Sequence, residues 1–67
     1  MERLQISLAA ARVNAGMTQG DVAREMKVSR QTIVNWENGK VEMKPAQFKM
    51  YCSIVNIPED NVSLPTI

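Results

Sequence analysis

Arg30, Gln31 and Asn35 stand close together near the middle of this sequence, and each carries directional hydrogen-bonding groups. A guanidinium offers parallel N–H donors that match guanine at O6 and N7, and a carboxamide offers the donor and acceptor that match adenine at N7 and N6–H. Asn35 follows Gln31 by four residues, which on a helix puts both on one face, one turn apart. Val34, beside them, suits contact with a thymine methyl. The chemistry open to this set is the reading of base edges in a DNA groove. The plainer alternative is a solvated polar helix face.

Other chemistry is poorly served. The chain has no His, its lone Cys52 falls on an apolar stripe, and no pair of carboxylates is spaced for acid–base work, so an enzyme is not expected. Without His or a CxxC pair there is no metal-binding spacing, and no cofactor is expected.

The stretch Gln19 to Trp36, QGDVAREMKVSRQTIVNW, must position the three polar residues. It reads as two short helices and a tight turn. Thr18 is placed to cap the first, and Val22, Ala23 and Met26 form its narrow apolar stripe. Lys27 and Val28 make the turn. Ser29 is placed to cap the second helix, Ile33 and Trp36 are its inward face, and Asn38-Gly39 stops it. Ala23 is the small residue where two steeply crossing helices come closest. This is the helix-turn-helix pattern, with the motif over 18–38 and a recognition helix at about 29–38 that enters the major groove by its N-terminal part. Arg30, Gln31 and Asn35 are then the expected base readers. Ser29 and Thr32 are assigned to the DNA backbone, with an internal cap the alternative for Thr32.

The run LAAARVNAGMTQGDVAREMKVSRQTIVNWENGK resembles the DNA-binding domain of the Cro and phage-repressor type, the lambda-repressor-like fold. The likeness is strongest from Leu8 to Lys40 and looser to Val62, and its specific parts are TQ, VS and WENGK. One position departs from the pattern: Lys27 stands where the turn usually has Gly. A positive φ there would cost about 1 kcal/mol.

The resemblance implies roles for further residues. Leu8, Ala11, Arg12 and Ala15 share one face of the first helix, which starts at Ser7 and ends at Gly16, and a guanidinium on an apolar stripe needs a partner. Glu37, next to Trp36, is the candidate; related repressors carry an Arg and a Glu at the matching places as a buried ion pair. Arg12–Glu37 is accordingly expected to be structural, an unpaired pair of surface charges being the alternative. By the same resemblance Gln19, at the start of a helix, hydrogen-bonds a DNA phosphate, and Asn38, Lys40 and Lys44 lie along the phosphates.

At 67 residues the chain holds one domain, near the size at which a single core is only marginally stable. An apolar fraction of 45% argues against disorder. The net charge is only +1, but five of the basic residues lie between Lys27 and Lys49 against two acids, which polarises the chain towards the half expected to face DNA. A single Cys, no basic-plus-apolar leader and no long apolar run suggest a reduced, cytoplasmic setting without a membrane.

Residues 1–6 are taken as an N-terminal arm, 7–62 as the domain and 63–67 as a tail. Six residues leave open an edge strand, an extended arm or an early start of the first helix. Pro45 suits the first turn of a fourth helix with Phe48, Tyr51, Cys52 and Val55 on its core stripe, and Asn56 a left-handed stop. One short turn or helix is expected over 57–62. Ile54, Ile57, Val62, Leu64 and Ile67 exceed the needs of so small a core, which suggests a homodimer contact.

The expected fold is thus all-α, a compact domain of four to five helices. The expected function is that of a small Cro-like repressor binding a near-palindromic site on double-stranded DNA as a homodimer, with no small-molecule effector. The competing reading is a protein-interaction module on the same fold, such as an antitoxin or a coactivator that touches polymerase. The low net charge and the apolar C-terminal segment support it.

Overall fold

The structure, a computed structural model, describes residues 5–64. In chain order it comprises β1 (Ile6–Ser7), α1 (Leu8–Asn14), α2 (Gln19–Met26), α3 (Arg30–Glu37), α4 (Pro45–Ile54), a 3-10 turn (Glu59–Asn61) and β2 (Val62–Ser63). The fold is that of a helical domain, with α2 packed chiefly on α3 and, to a lesser extent, on α4.

Helix starts follow from their capping residues. Ser7 Oγ accepts from the Ala10 N–H at 3.0 Å, which opens α1. Thr18 Oγ1 accepts from the Asp21 N–H at 3.0 Å while Asp21 accepts from the Thr18 N–H at 2.9 Å, a reciprocal box that satisfies two otherwise orphaned donors of α2. Ser29 Oγ accepts from the Thr32 N–H at 3.2 Å at the start of α3. Pro45 begins α4, where its missing N–H costs nothing, and Gln47 Oε1 accepts from the Lys44 N–H at 2.8 Å.

All four helices end in the same way. Gly16, Lys27, Gly39 and Asn56 take φ of 72°, 59°, 79° and 57°, and each turns the next residue's N–H back onto a carbonyl five residues earlier. These bonds are Met17 to Arg12 (3.2 Å), Val28 to Ala23 (3.0 Å), Lys40 to Asn35 (2.9 Å) and Ile57 to Cys52 (3.0 Å). They are Schellman closures, and Met17, Val28 and Ile57 complete three of them by packing on the core. Lys27 does take the positive φ that the motif demands and that a side chain resists.

The core joins Leu8 and Ala11 of α1, Val22, Ala23 and Met26 of α2, Ile33 and Trp36 of α3, and Tyr51, Cys52 and Val55 around α4. Full burial of each larger member removes enough apolar surface from water to favour folding by about 1.5–3 kcal/mol. Phe48 and Met17 are partly buried against it. Met43, in the loop before α4, is also buried.

Three details differ from the spacing-based expectation. Ala15 is exposed, because α1 ends at Asn14 and Ala15 has left the helical stripe. Val62 is not surplus: it is a core residue. Its strand pairs in parallel with β1, Ile6 opposite Val62 and Ser7 opposite Ser63, so the two ends of the described chain are hydrogen-bonded together. Residues 1–4 of the expected arm, and Pro65 and Ile67 of the expected tail, lie outside the described residues.

Candidate nucleic-acid interface

Helix α3 has two unlike sides. Ile33 and Trp36 are 0% and 3% exposed, whereas Arg30 and Gln31 are exposed and Val34 and Asn35 half-buried. The burial of Ile33 and Trp36 fixes the rotation of the helix, and with it the outward direction of Arg30 and Gln31. Gln31 Nε2 donates to Asn35 Oδ1 at 3.0 Å, joining the two carboxamides across one helical turn. At the helix start the Ser29 and Thr32 hydroxyls are 2.9 Å apart, so Thr32 joins the cap.

Beneath that surface, Glu37 at the end of α3 is held by four hydrogen bonds. Arg12 donates Nε to Oε2 at 2.8 Å and Nη2 to Oε1 at 3.1 Å; Gln19 Nε2 donates to Oε1 at 3.1 Å, and the Tyr51 hydroxyl to Oε2 at 2.6 Å. The Arg12 and Glu37 side chains are 12% and 5% exposed, and Arg12 Nη1 also reaches the Met17 carbonyl at 3.0 Å. A carboxylate this sheltered is costly unless fully partnered, and here each oxygen accepts two bonds. Burial alone would raise its pKa. The bonds from Arg12, Tyr51 and Gln19, with the Arg12 charge, outweigh that and hold Glu37 below the usual carboxylate range. Arg12 is raised in turn, first through its bond to Glu37. Burial and the neighbouring carboxylate push the Tyr51 hydroxyl well above its ordinary range.

Two members of this cluster escaped the sequence reading. Tyr51 stood on a core stripe, and the only signal was general: a buried phenol must find a partner. Gln19 was expected to spend its side chain on a phosphate, but one of its N–H groups goes to Glu37. The cluster thereby ties the first turn of α2 and the body of α4 to the end of α3.

The cations Lys27, Arg30, Lys40, Lys44 and Lys49 are all exposed. Asn38 Oδ1 accepts from the Lys40 N–H at 3.1 Å, which shapes the loop after α3, and Lys44 sits at the start of α4. Arg24 is instead engaged with Asp21 at 2.6 Å, and the Thr18 backbone N–H holds Asp21 below its ordinary pKa. Cys52 is buried and its thiol is pushed up by burial, an inert arrangement. Among the described residues no cluster of His, Cys, Asp or Glu is placed to hold a metal ion, and no helix is long and apolar enough to cross a membrane.

A family model described as helix-turn-helix matches residues 8–60, a span that takes in all four helices and the 3-10 turn up to Asp60. No curated protein and no solved structure matches the chain.

Proposed function

We propose that this chain, which belongs to the helix-turn-helix family of the Cro and phage-repressor type, is a small Cro-like repressor that occupies a near-palindromic operator as a homodimer. Family membership makes it a DNA-binding regulator. The observation that carries the finer reading is the two-sidedness of α3: Ile33 and Trp36 sealed in the core, Arg30 and Gln31 turned to solvent at its leading end. In this reading α3 enters the major groove, Arg30 grips guanine at O6 and N7, Gln31 pairs with adenine at N6 and N7, and Asn35 reads a base further along. Gln19, Ser29, Thr32, Asn38, Lys40 and Lys44 lie along the phosphates and set the register. Gln19 keeps one amide N–H for a phosphate while the other holds Glu37. Arg12–Glu37 takes no part in recognition and maintains the angle of α3.

A net charge of +1 gives one copy little hold on DNA, and a second copy doubles the phosphate contacts. The exposed Val41 and Leu64 flank a small hollow lined also by Trp36, Glu42 and Met43, and support a self-contact through the C-terminal side of the domain. Two copies would then place their α3 helices in successive major grooves, about 34 Å apart.

The test is selection of bound duplexes from a random pool, with the wild type and with the Arg30→Ala/Gln31→Ala double variant. Enrichment of a near-palindromic site by the wild type, lost at the half-site positions in the variant, supports the reading, and the half-site spacing reports the dimer. Enrichment of nothing at low salt by either protein would favour the interaction-module alternative.

A further inference from the structure

The hydrogen bond between Gln31 Nε2 and Asn35 Oδ1, 3.0 Å long, has a consequence for which bases the two residues accept. A free carboxamide is ambidextrous: rotating its last torsion by half a turn exchanges donor and acceptor. Here the bond couples the two torsions, and in the arrangement seen Gln31 donates and Asn35 accepts. Asn35 has committed its carbonyl to Gln31, so the end of its amide turned away from Gln31 is Nδ2, which only donates. Gln31 has committed one N–H, which leaves Oε1 and a second N–H, an acceptor beside a donor. Among the described residues no other group engages Gln31 Oε1 or Asn35 Nδ2.

Resting on the reading of α3 as the base-reading helix, we infer that Gln31 and Asn35 act as one specificity unit, in which the Gln31–Asn35 bond makes Gln31 select adenine and makes Asn35 a donor that rejects cytosine. Adenine offers N6–H and N7, the complement of the acceptor and donor left on Gln31. Guanine offers O6 and N7, thymine O4 and adenine N7, all acceptors for Nδ2. Cytosine offers only N4–H in the major groove, which would set donor against donor at Asn35. One turn of helix advances about 5.4 Å, comparable with the rise of one to two base steps, so the two preferences fall on neighbouring positions of a half-site. Asn35 is therefore more than a third independent contact: it positions the Gln31 amide while reading its own base.

The experiment is duplex selection with the wild type, Asn35→Ala and Asn35→Asp, each checked for folding by its circular dichroism melt. Base preference at each position is the readout, since an added carboxylate lowers overall affinity on its own. The wild type is expected to select adenine at one half-site position and to exclude cytosine at its neighbour. Asn35→Asp keeps an acceptor for Gln31 and loses the donors, so adenine should persist at the first position and cytosine should become favoured at the neighbour. Asn35→Ala releases the Gln31 amide, so adenine preference at the first position should fall on the order of tenfold although Gln31 is unchanged. Undiminished adenine preference in Asn35→Ala, or wild-type selection of cytosine at the neighbour, overturns the unit while leaving base reading by α3 intact. No base preference in the wild type overturns both.

Discussion

The Tyr51 hydroxyl donates to Glu37 Oε2 across 2.6 Å, a bond from the middle of α4 to the last residue of α3. The same hydroxyl lies 3.1 Å from the Leu8 carbonyl oxygen, so a single proton serves both α1 and α3, mostly the nearer carboxylate. With Arg12 from α1 and Gln19 from α2, every helix sends a group to Glu37 or supplies it. A helix that must present side chains to a rigid duplex benefits from an end anchored in this way.

Removing the hydroxyl tests that anchor. Tyr51→Phe keeps the ring in its fully buried site and withdraws one donor from a charged acceptor, a loss of about 1.5–3 kcal/mol. Urea unfolding should report it as a lower midpoint with an unchanged slope. Arg12→Met should cost more, about 3 kcal/mol, because it removes the countercharge of a sheltered carboxylate. Tyr51 and Gln19 still donate to that carboxylate, which places the loss at the lower end of the usual range. Losses within a few tenths of a kcal/mol of zero in both variants would refute an anchoring role.

The same groups set the pH profile of stability. Glu37 is held below the ordinary carboxylate pKa, so the unfolded chain binds its proton first as pH falls. Its contribution is complete above about pH 4.3, the unfolded value, and is lost as pH drops towards the depressed folded value. Tyr51 is raised, so its contribution is complete below about pH 10 and declines as pH rises beyond that, where the unfolded phenol ionises and the folded one does not. Asp21, also depressed, adds to the acid limb. Melts across pH should therefore show Glu37→Gln with a lower plateau and a shallower acid limb, and Tyr51→Phe with a flatter alkaline limb. An acid limb unaltered in Glu37→Gln would reject the assignment.

Much of this architecture is written locally. The left-handed stops at Gly16, Gly39 and Asn56 follow from residue types that tolerate positive φ, and the stripes of Val22, Ala23 and Met26 or Tyr51, Cys52 and Val55 follow from helical spacing. The motif between them was readable for the same reason. Longer-range features left no such trace. Strands of two residues have no periodicity, so the pairing of Ile6 with Val62 could not be seen. Met43 is a single apolar residue in a loop, and nothing beside it shows that the loop folds inward. The Arg12–Glu37 pairing was reached through resemblance, whereas the Tyr51 and Gln19 bonds to the same carboxylate depend on how helices far apart in sequence happen to meet.

Lys27 offers a stabilising change. Its φ of 59° closes α2 against the turn, and a Cβ makes that conformation cost about 1–2 kcal/mol, partly offset on substitution by the greater freedom of glycine in the unfolded chain. Lys27→Gly should therefore gain about 1 kcal/mol, seen as a rise in Tm of about 4–8 °C for a domain this small. Gly16→Ala should lose a similar amount from the backbone alone, since nothing lies within 4 Å of the added Cβ. Gly20→Ala, within α2 and at ordinary contact distance (3.7 Å) from Thr18 Oγ1, should be neutral to stabilising. The three signs together separate backbone strain from packing, and a loss in Lys27→Gly would mean that its side chain contributes more than its strain costs.

Lys40 and Lys44 address affinity without sequence preference. Both are exposed and flank the loop that follows α3, and in the proposed complex each neutralises a phosphate on each half-site. A phosphate contact releases a condensed counterion, so the slope of log K against log salt reports how many contacts are made. Lys40→Ala or Lys44→Ala should weaken binding to specific and random duplexes alike and reduce the magnitude of that slope by about 1 per copy bound. Arg30→Ala should behave differently, losing about 1–3 kcal/mol on the selected site and little on random DNA. Fluorescence anisotropy titrations over a range of salt concentrations distinguish the two patterns. If the lysine variants change base preference but leave the salt slope alone, the loop reads bases and the division of labour proposed between it and α3 is wrong.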